Sequence, residues 1–118
     1  AYAAHMAALL GAHVIKVKPP TDALEQPEAT SVYQATNLPR DTLAERINHI
    51  MQASFAGRRI VVFSGGAAKD RDGLLNEVRA LRDGGANGSI IGRNTFQRPR
   101  DEALDLLGDI IDIYRGKL

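Results

Sequence analysis

The chain has 118 residues, enough for one domain with one core but well short of the roughly 250 of a closed eightfold βα-barrel. With 44% hydrophobic and 25% charged residues its composition is ordinary for a globular protein, and a net charge of +1 calls for neither nucleic acid nor an anionic membrane as partner. Cysteine is absent, which excludes disulfides, thiolate nucleophiles and cysteine-bound zinc.

Ala1 to Leu10 is alanine-rich, with Met6, Leu9 and Leu10 at helical spacing and Gly11 where a helix would end. No N-cap precedes it, so the reading expects a segment before Ala1 that this chain does not include. No charged start with a cleavage site and no apolar run of membrane-spanning length is present, and a reducing cytoplasm is the expected location. His5, His13 and His49 lie far apart without carboxylates at ligand spacing, and are expected to be packing or surface residues.

The stretch from His13 to Lys18 reads as a short parallel strand, because Val14, Ile15 and Val17 are β-branched and Pro19-Pro20 then forbids both ladder bonding and helix. Alternation puts Val14, Lys16 and Lys18 on one face and Ile15 and Val17 on the other. Two ammonium groups on one face of a parallel sheet need a reason, since both faces are normally covered. A lysine attacks a carbonyl only as the neutral amine, a rare species at pH 7 for an unperturbed side chain of pKa about 10.4. A second ammonium about 7 Å away along the strand repels the first by about 2 kcal/mol at an effective dielectric of about 20, and partial burial can supply more. The plainer alternative is that both lysines extend to solvent from a strand end.

After Thr21 the sequence turns polar, Pro27 and Pro39 bracket a stretch that includes Tyr33, and Asp22 to Gln34 reads as a mobile connection with one short helix. Asp41 is the expected N-cap of the next helix, with Glu45 near its positive end and Leu43, Ile47, Ile50 and Met51 as the stripe that covers a sheet. Ile60-Val61-Val62-Phe63 is a continuous apolar run, expected to be a strand buried on both faces, and it stops at Ser64-Gly65-Gly66. Asp70 or Asp72 then opens a helix with Leu74, Leu75, Val78 and Leu81 buried, closed by Gly84-Gly85. Ser89-Ile90-Ile91 is a further short buried strand that stops at Gly92-Arg93-Asn94. The last helix is expected from about Pro99 or Arg100 to Tyr114, with Ala103, Leu107, Ile110, Ile111 and Tyr114 on its buried side.

After the first helix, strand, polar or glycine-rich exit, and helix repeat three times, which is α/β architecture with a parallel sheet. An open doubly wound sheet and one side of a βα-barrel both fit, and in both the ligands bind at the carboxyl ends of the strands. Those ends carry Lys16, Ser64-Gly65-Gly66 and Gly92-Arg93. The first glycine pair offers free backbone N–H groups and a hydroxyl to an anion, and Arg93 offers a guanidinium fork suited to phosphate oxygens. Each is also compatible with a plain turn or a surface ion pair. Taken together they favour a phosphorylated carbonyl substrate.

The run Ala12-His13-Val14-Ile15-Lys16-Val17-Lys18, the Phe63-Ser64-Gly65-Gly66 exit and the stretch from Gly84 to Gln97, which ends in Gly92-Arg93-Asn94-Thr95-Phe96-Gln97, resemble the class I fructose-bisphosphate aldolases of the archaeal and bacterial type. The resemblance covers nearly the whole chain. It implies an α/β fold, a (β/α)8 TIM barrel of which residues 1–118 supply about the last three βα units as the C-terminal part of a single domain. It places the Schiff-base lysine for dihydroxyacetone phosphate on Lys16 and makes Lys18 its helper, since related barrels carry one lysine in that strand, aligned with the first of the pair. The residues that hold the ketose phosphate fall on Ser64, Gly65, Gly66, Gly92 and Arg93. The iminium serves as electron sink, so neither metal nor other cofactor is needed.

The implied reaction is reversible cleavage of fructose 1,6-bisphosphate to dihydroxyacetone phosphate and glyceraldehyde 3-phosphate, in a homo-oligomeric enzyme. The family's proton-transferring tyrosine and an aspartate come from earlier strands, so none of Tyr2, Tyr33 or Asp22 is placed in those roles, and this chain alone is expected to be poorly active. A related Schiff-base barrel acting on another sugar phosphate, and a non-catalytic phosphate-binding module, are the alternatives.

Overall fold

A computed structural model describes all of residues 1–118. In chain order the elements are α1 (Tyr2–Leu9), β1 (Val14–Val17), α2 (Pro27–Thr36), α3 (Leu43–Ala53), β2 (Ile60–Ser64), α4 (Arg71–Asp83), β3 (Gly88–Ile90), α5 (Arg93–Phe96) and α6 (Arg100–Tyr114). The three strands form one parallel sheet in the order β1-β2-β3, with Val14 opposite Ile60, Lys16 opposite Val62, and Ser64 opposite Ile90.

Opposed residues of a parallel pair share a face, so the register sorts the sheet. Ile15, Val61 and Phe63 lie on one face and join Ala4 and Ala8 of α1, Ile47, Ile50 and Met51 of α3, and Leu81 of α4 in a single core. Leu74, Leu75 and Val78 continue α4's stripe to Leu106, Ile110 and Ile113 of α6, making a second cluster. The other face carries Val14, Lys16, Ile60, Val62, Ser64 and Ile90, and no helix covers it: Val14, Ile60 and Ile90 are 59%, 49% and 50% exposed.

Helices on one side of a sequentially ordered parallel sheet are the winding of a βα-barrel, whose open face is the lumen. A doubly wound sheet has helices on both.

Local chemistry sets the boundaries. Thr42, one residue later than the expected Asp41, caps α3, because its hydroxyl accepts the Glu45 N–H while the Glu45 carboxylate accepts the Thr42 N–H; Asp41 lacks that reciprocal partner three residues on. Asp70 caps α4 by accepting the Gly73 N–H. Gly84 ends α4 where no side chain fits, since a Cβ there would stand 2.5 Å from the Ile47 Cβ and 2.6 Å from the Ala44 carbonyl. Asn87 leads into β3, its side-chain oxygen accepting the Val61 N–H and its own N–H bonding the Val61 carbonyl.

The structure departs from the expectations at several further points. The strand at Ile60 is buried on one face only, and Ile90 on β3 is exposed where a buried strand was expected, because their apolar outer residues line a lumen that this chain does not close. The third strand runs Gly88–Ile90, one residue earlier than Ser89-Ile90-Ile91, since Asn87 has already set its register. The short helix expected in the polar stretch is α2, ten residues long, started by Pro27 at its first turn and ended by Asn37 in the left-handed region, its last residue Thr36 lying two beyond the expected limit at Gln34. Gly92, where the strand was expected to stop, leads into the short helix α5. Finally, α6 buries Leu106, Ile110 and Ile113 against α4, leaving the expected Leu107 and Ile111 exposed beside β3.

Candidate active site

Lys16 is the third residue of β1 and lies exposed on the open face, opposite Val62. Ser64 is two positions further along β2 on that same face. From strand rise and strand spacing the two Cα atoms are about 8 Å apart. Lys18 is also exposed but lies one residue beyond the strand, just before Pro19-Pro20, so the ladder does not fix it on the face of Lys16.

The β2 exit is tied down on one side. Gly65 donates its N–H to the Ile90 carbonyl at 3.1 Å, and a Cβ on Gly65 would touch Ile91 at 3.4 Å and the Asn94 amide at 3.6 Å. Gly66 has φ +65°, a conformation that glycine adopts without strain. The backbone N–H groups of Gly66, Ala67 and Ala68 have no backbone partner, and these three residues are exposed. The Ser64 hydroxyl is buried and has no hydrogen-bond partner. Unsatisfied donors at a strand exit are the requirement for holding an anion.

The β3 exit stands alongside. Gly92 is followed by Arg93, exposed at the start of α5, and the Thr95 hydroxyl donates to the Gly92 carbonyl at 2.8 Å. A Cβ on Gly92 would come within 3.3 Å of the Phe96 ring. Ser64-Gly65-Gly66 and Gly92-Arg93 are therefore adjacent, linked by the Gly65–Ile90 bond.

Two residues that join these exits were not singled out in the sequence. Asn94, 4% exposed, accepts the Lys69 N–H at 2.7 Å and donates to the carbonyls of Gly65 and Ala67 at 3.1 and 3.0 Å. Arg98 donates to the Asn94 carbonyl at 2.7 Å and to the Lys69 carbonyl at 2.9 Å. An asparagine directly after Gly-Arg was visible, but its partners lie 25 to 29 residues earlier, beyond any local signal.

The histidines are packing or surface residues. His5 bonds the Ala53 carbonyl at 2.7 Å and meets Phe55 edge-on, His49 meets Tyr33 edge-on, and His13 is exposed. Tyr2, Tyr33 and Asp22 line a mainly apolar groove of about 660 Å³ among α1, α2 and α3, to which Lys16, Ser64 and Arg93 do not contribute. No three His, Asp or Glu side chains converge as a metal site, and no helix is long and apolar enough to cross a membrane.

One-sided winding of a parallel sheet, with an exposed lysine on its open face and glycine-bearing exits on the other two strands, is the arrangement of part of a βα-barrel. A family model described as "DeoC/LacD family aldolase" matches residues 1–98, and the chain belongs to that family. It is 29% identical over 119 aligned positions to the "Probable fructose-bisphosphate aldolase class 1" of Chlamydia muridarum (strain MoPn / Nigg), an alignment that spans 93% of this chain and 34% of that protein. It also superposes on a crystal structure of an archaeal fructose 1,6-bisphosphate aldolase with a TM-score of 0.70 at 25% identity, covering 98% of this chain and 36% of that one. The chain thus spans about a third of the length of both relatives. The three parallel βα units match part of a TIM-barrel aldolase, as the sequence resemblance implied.

Proposed function

We propose that residues 1–118 supply the last three βα units of a Schiff-base aldolase barrel, with Lys16 as nucleophile and the two exits as the seat of a substrate phosphate. The observation that carries this reading is the shared open face of Lys16 and Ser64, one strand apart, in a chain of an aldolase family. The substrate is fructose 1,6-bisphosphate, in line with the names borne by both relatives.

The neutral Lys16 amine attacks the C2 carbonyl, and loss of water leaves an iminium. The C4 hydroxyl gives up its proton to a base outside these residues and the C3–C4 bond breaks. Its electron pair flows into the iminium, which becomes an enamine, while C4 departs as the aldehyde of glyceraldehyde 3-phosphate. Protonation of the enamine and hydrolysis release dihydroxyacetone phosphate and restore the amine. Ser64, Gly65, the free N–H of Gly66, Gly92 and Arg93 form the seat of the phosphate and so fix C2 beside the lysine, the Gly65 N–H itself remaining bonded to the Ile90 carbonyl. Lys18, one residue beyond the end of β1, serves as the helper of Lys16.

Borohydride reduction in the presence of dihydroxyacetone phosphate tests the reading in the complete barrel. A stable adduct is expected on the peptide that contains Lys16, and Lys16→Met removes it. An adduct on Lys18, or none in the unaltered protein, overturns the assignment. A substrate series distinguishes fructose 1,6-bisphosphate from other phosphorylated ketoses, which the same phosphate seat would accept in a related enzyme of the family.

A further inference from the structure

We infer that Asn94 is a positioning residue that orients the peptide groups of the β2 exit for phosphate, acting through residues 65–69 and not by touching substrate. This rests on the reading that the exits hold a phosphate. In a trans peptide unit the C=O and the following N–H point in opposite directions. Asn94 draws the carbonyls of Gly65 and Ala67 towards its own amide, so the N–H groups of Gly66 and Ala68, which share those peptide units, point away from it. Both have no backbone partner and both residues are exposed.

The third bond, from the Lys69 N–H to the Asn94 side-chain oxygen, takes up the donor that follows and closes the loop on the α5 side. Arg98 closes the bridge from below by holding the carbonyls of both Asn94 and Lys69. The amide is suited to the position because it accepts once and donates twice through one buried planar group. Aspartate keeps the acceptor and loses both donors, and leucine loses all three. Because Arg93 is the residue before Asn94, the same group also fixes the backbone from which the exposed cation extends.

The experiment compares borohydride trapping by two ketones, dihydroxyacetone phosphate and dihydroxyacetone, in the complete barrel carrying Asn94→Asp or Asn94→Leu. The quantity read is the preference for the phosphorylated ketone. It is expected to fall about 10- to 100-fold in both variants, the worth of one or two charge-assisted hydrogen bonds. A general loss of structure lowers trapping of both ketones together and leaves the preference where it was, and that result overturns the inference. Unchanged preference with full trapping overturns it as well, while the phosphate reading survives. If the unaltered protein traps the two ketones equally, the exits hold no phosphate, and both readings fail. Amide hydrogen exchange supplies a second measurement. The Lys69 N–H is expected to be protected in the unaltered protein and in Asn94→Asp, and to exchange freely in Asn94→Leu; equal protection in all three overturns the staple itself.

Discussion

His49 shows how a single side chain here links packing to solution conditions. It is half-buried against the edge of the Tyr33 ring, with centroids 5.3 Å apart, and burial holds its imidazole below the ordinary value of 6.5. The folded state therefore takes up this proton less readily than the unfolded chain. Stability from His49 is complete above about pH 6.5 and declines as the pH falls from there towards the lower folded value. Urea midpoints at pH 7.5 and 5.5 are expected to drop more for the unaltered chain than for His49→Leu, and equal drops would show that the ring is as well solvated folded as unfolded. Glu45 acts at lower pH: hydrogen bonds to the Thr42 backbone and hydroxyl hold its carboxyl below 4.5, so the capping box is weakened only when the medium becomes more acidic still.

Among the elements, α6 carries two apolar stripes and this chain uses one. Leu106, Ile110 and Ile113 pack on Leu74, Leu75 and Val78 of α4, and the Arg71–Asp109 ion pair at 2.5 Å pins the same two helices. Leu107 and Ile111 instead line a groove of about 450 Å³ with Gly88, Ser89 and Tyr114 along the free side of β3. Leu106→Ala is expected to cost about 2–4 kcal/mol, since it opens a cavity at a fully buried position, whereas Leu107→Ala costs less than about 1 kcal/mol in this chain. Equal losses in chemical denaturation would mean that the helix is rotated from the orientation described.

The same helix shows what periodicity could and could not convey. The stripe of α4 was legible down to each residue because only one of its faces is apolar, while α6 offers two and spacing alone does not rank them. The apolar residues of β2 likewise announced a strand covered on both sides, correct for a closed barrel and wrong for the part of it present here. For the site, the order of strand exits was readable from glycines and a lysine. The Asn94 bridge was not, because it spans two βα units.

At the scale of the whole molecule, the sheet ends at two free edges, the outer sides of β1 and β3, and its lumen face is bare. Free edges and exposed Val14, Ile60 and Ile90 favour pairing with further strands. Sedimentation velocity of this chain by itself should reveal association that grows with concentration, and a strictly monomeric profile at high concentration would mean that the edges are better protected than their exposure indicates.

The one-sided core has a consequence for how such a barrel can be put together. Ile47, Val61, Phe63 and Leu74 are fully enclosed by helices already in this chain, so nothing in that layer must be undone when other strands arrive. This third of a barrel and a separately produced remainder would then join on mixing by zipping two seams and sealing the cavity between them.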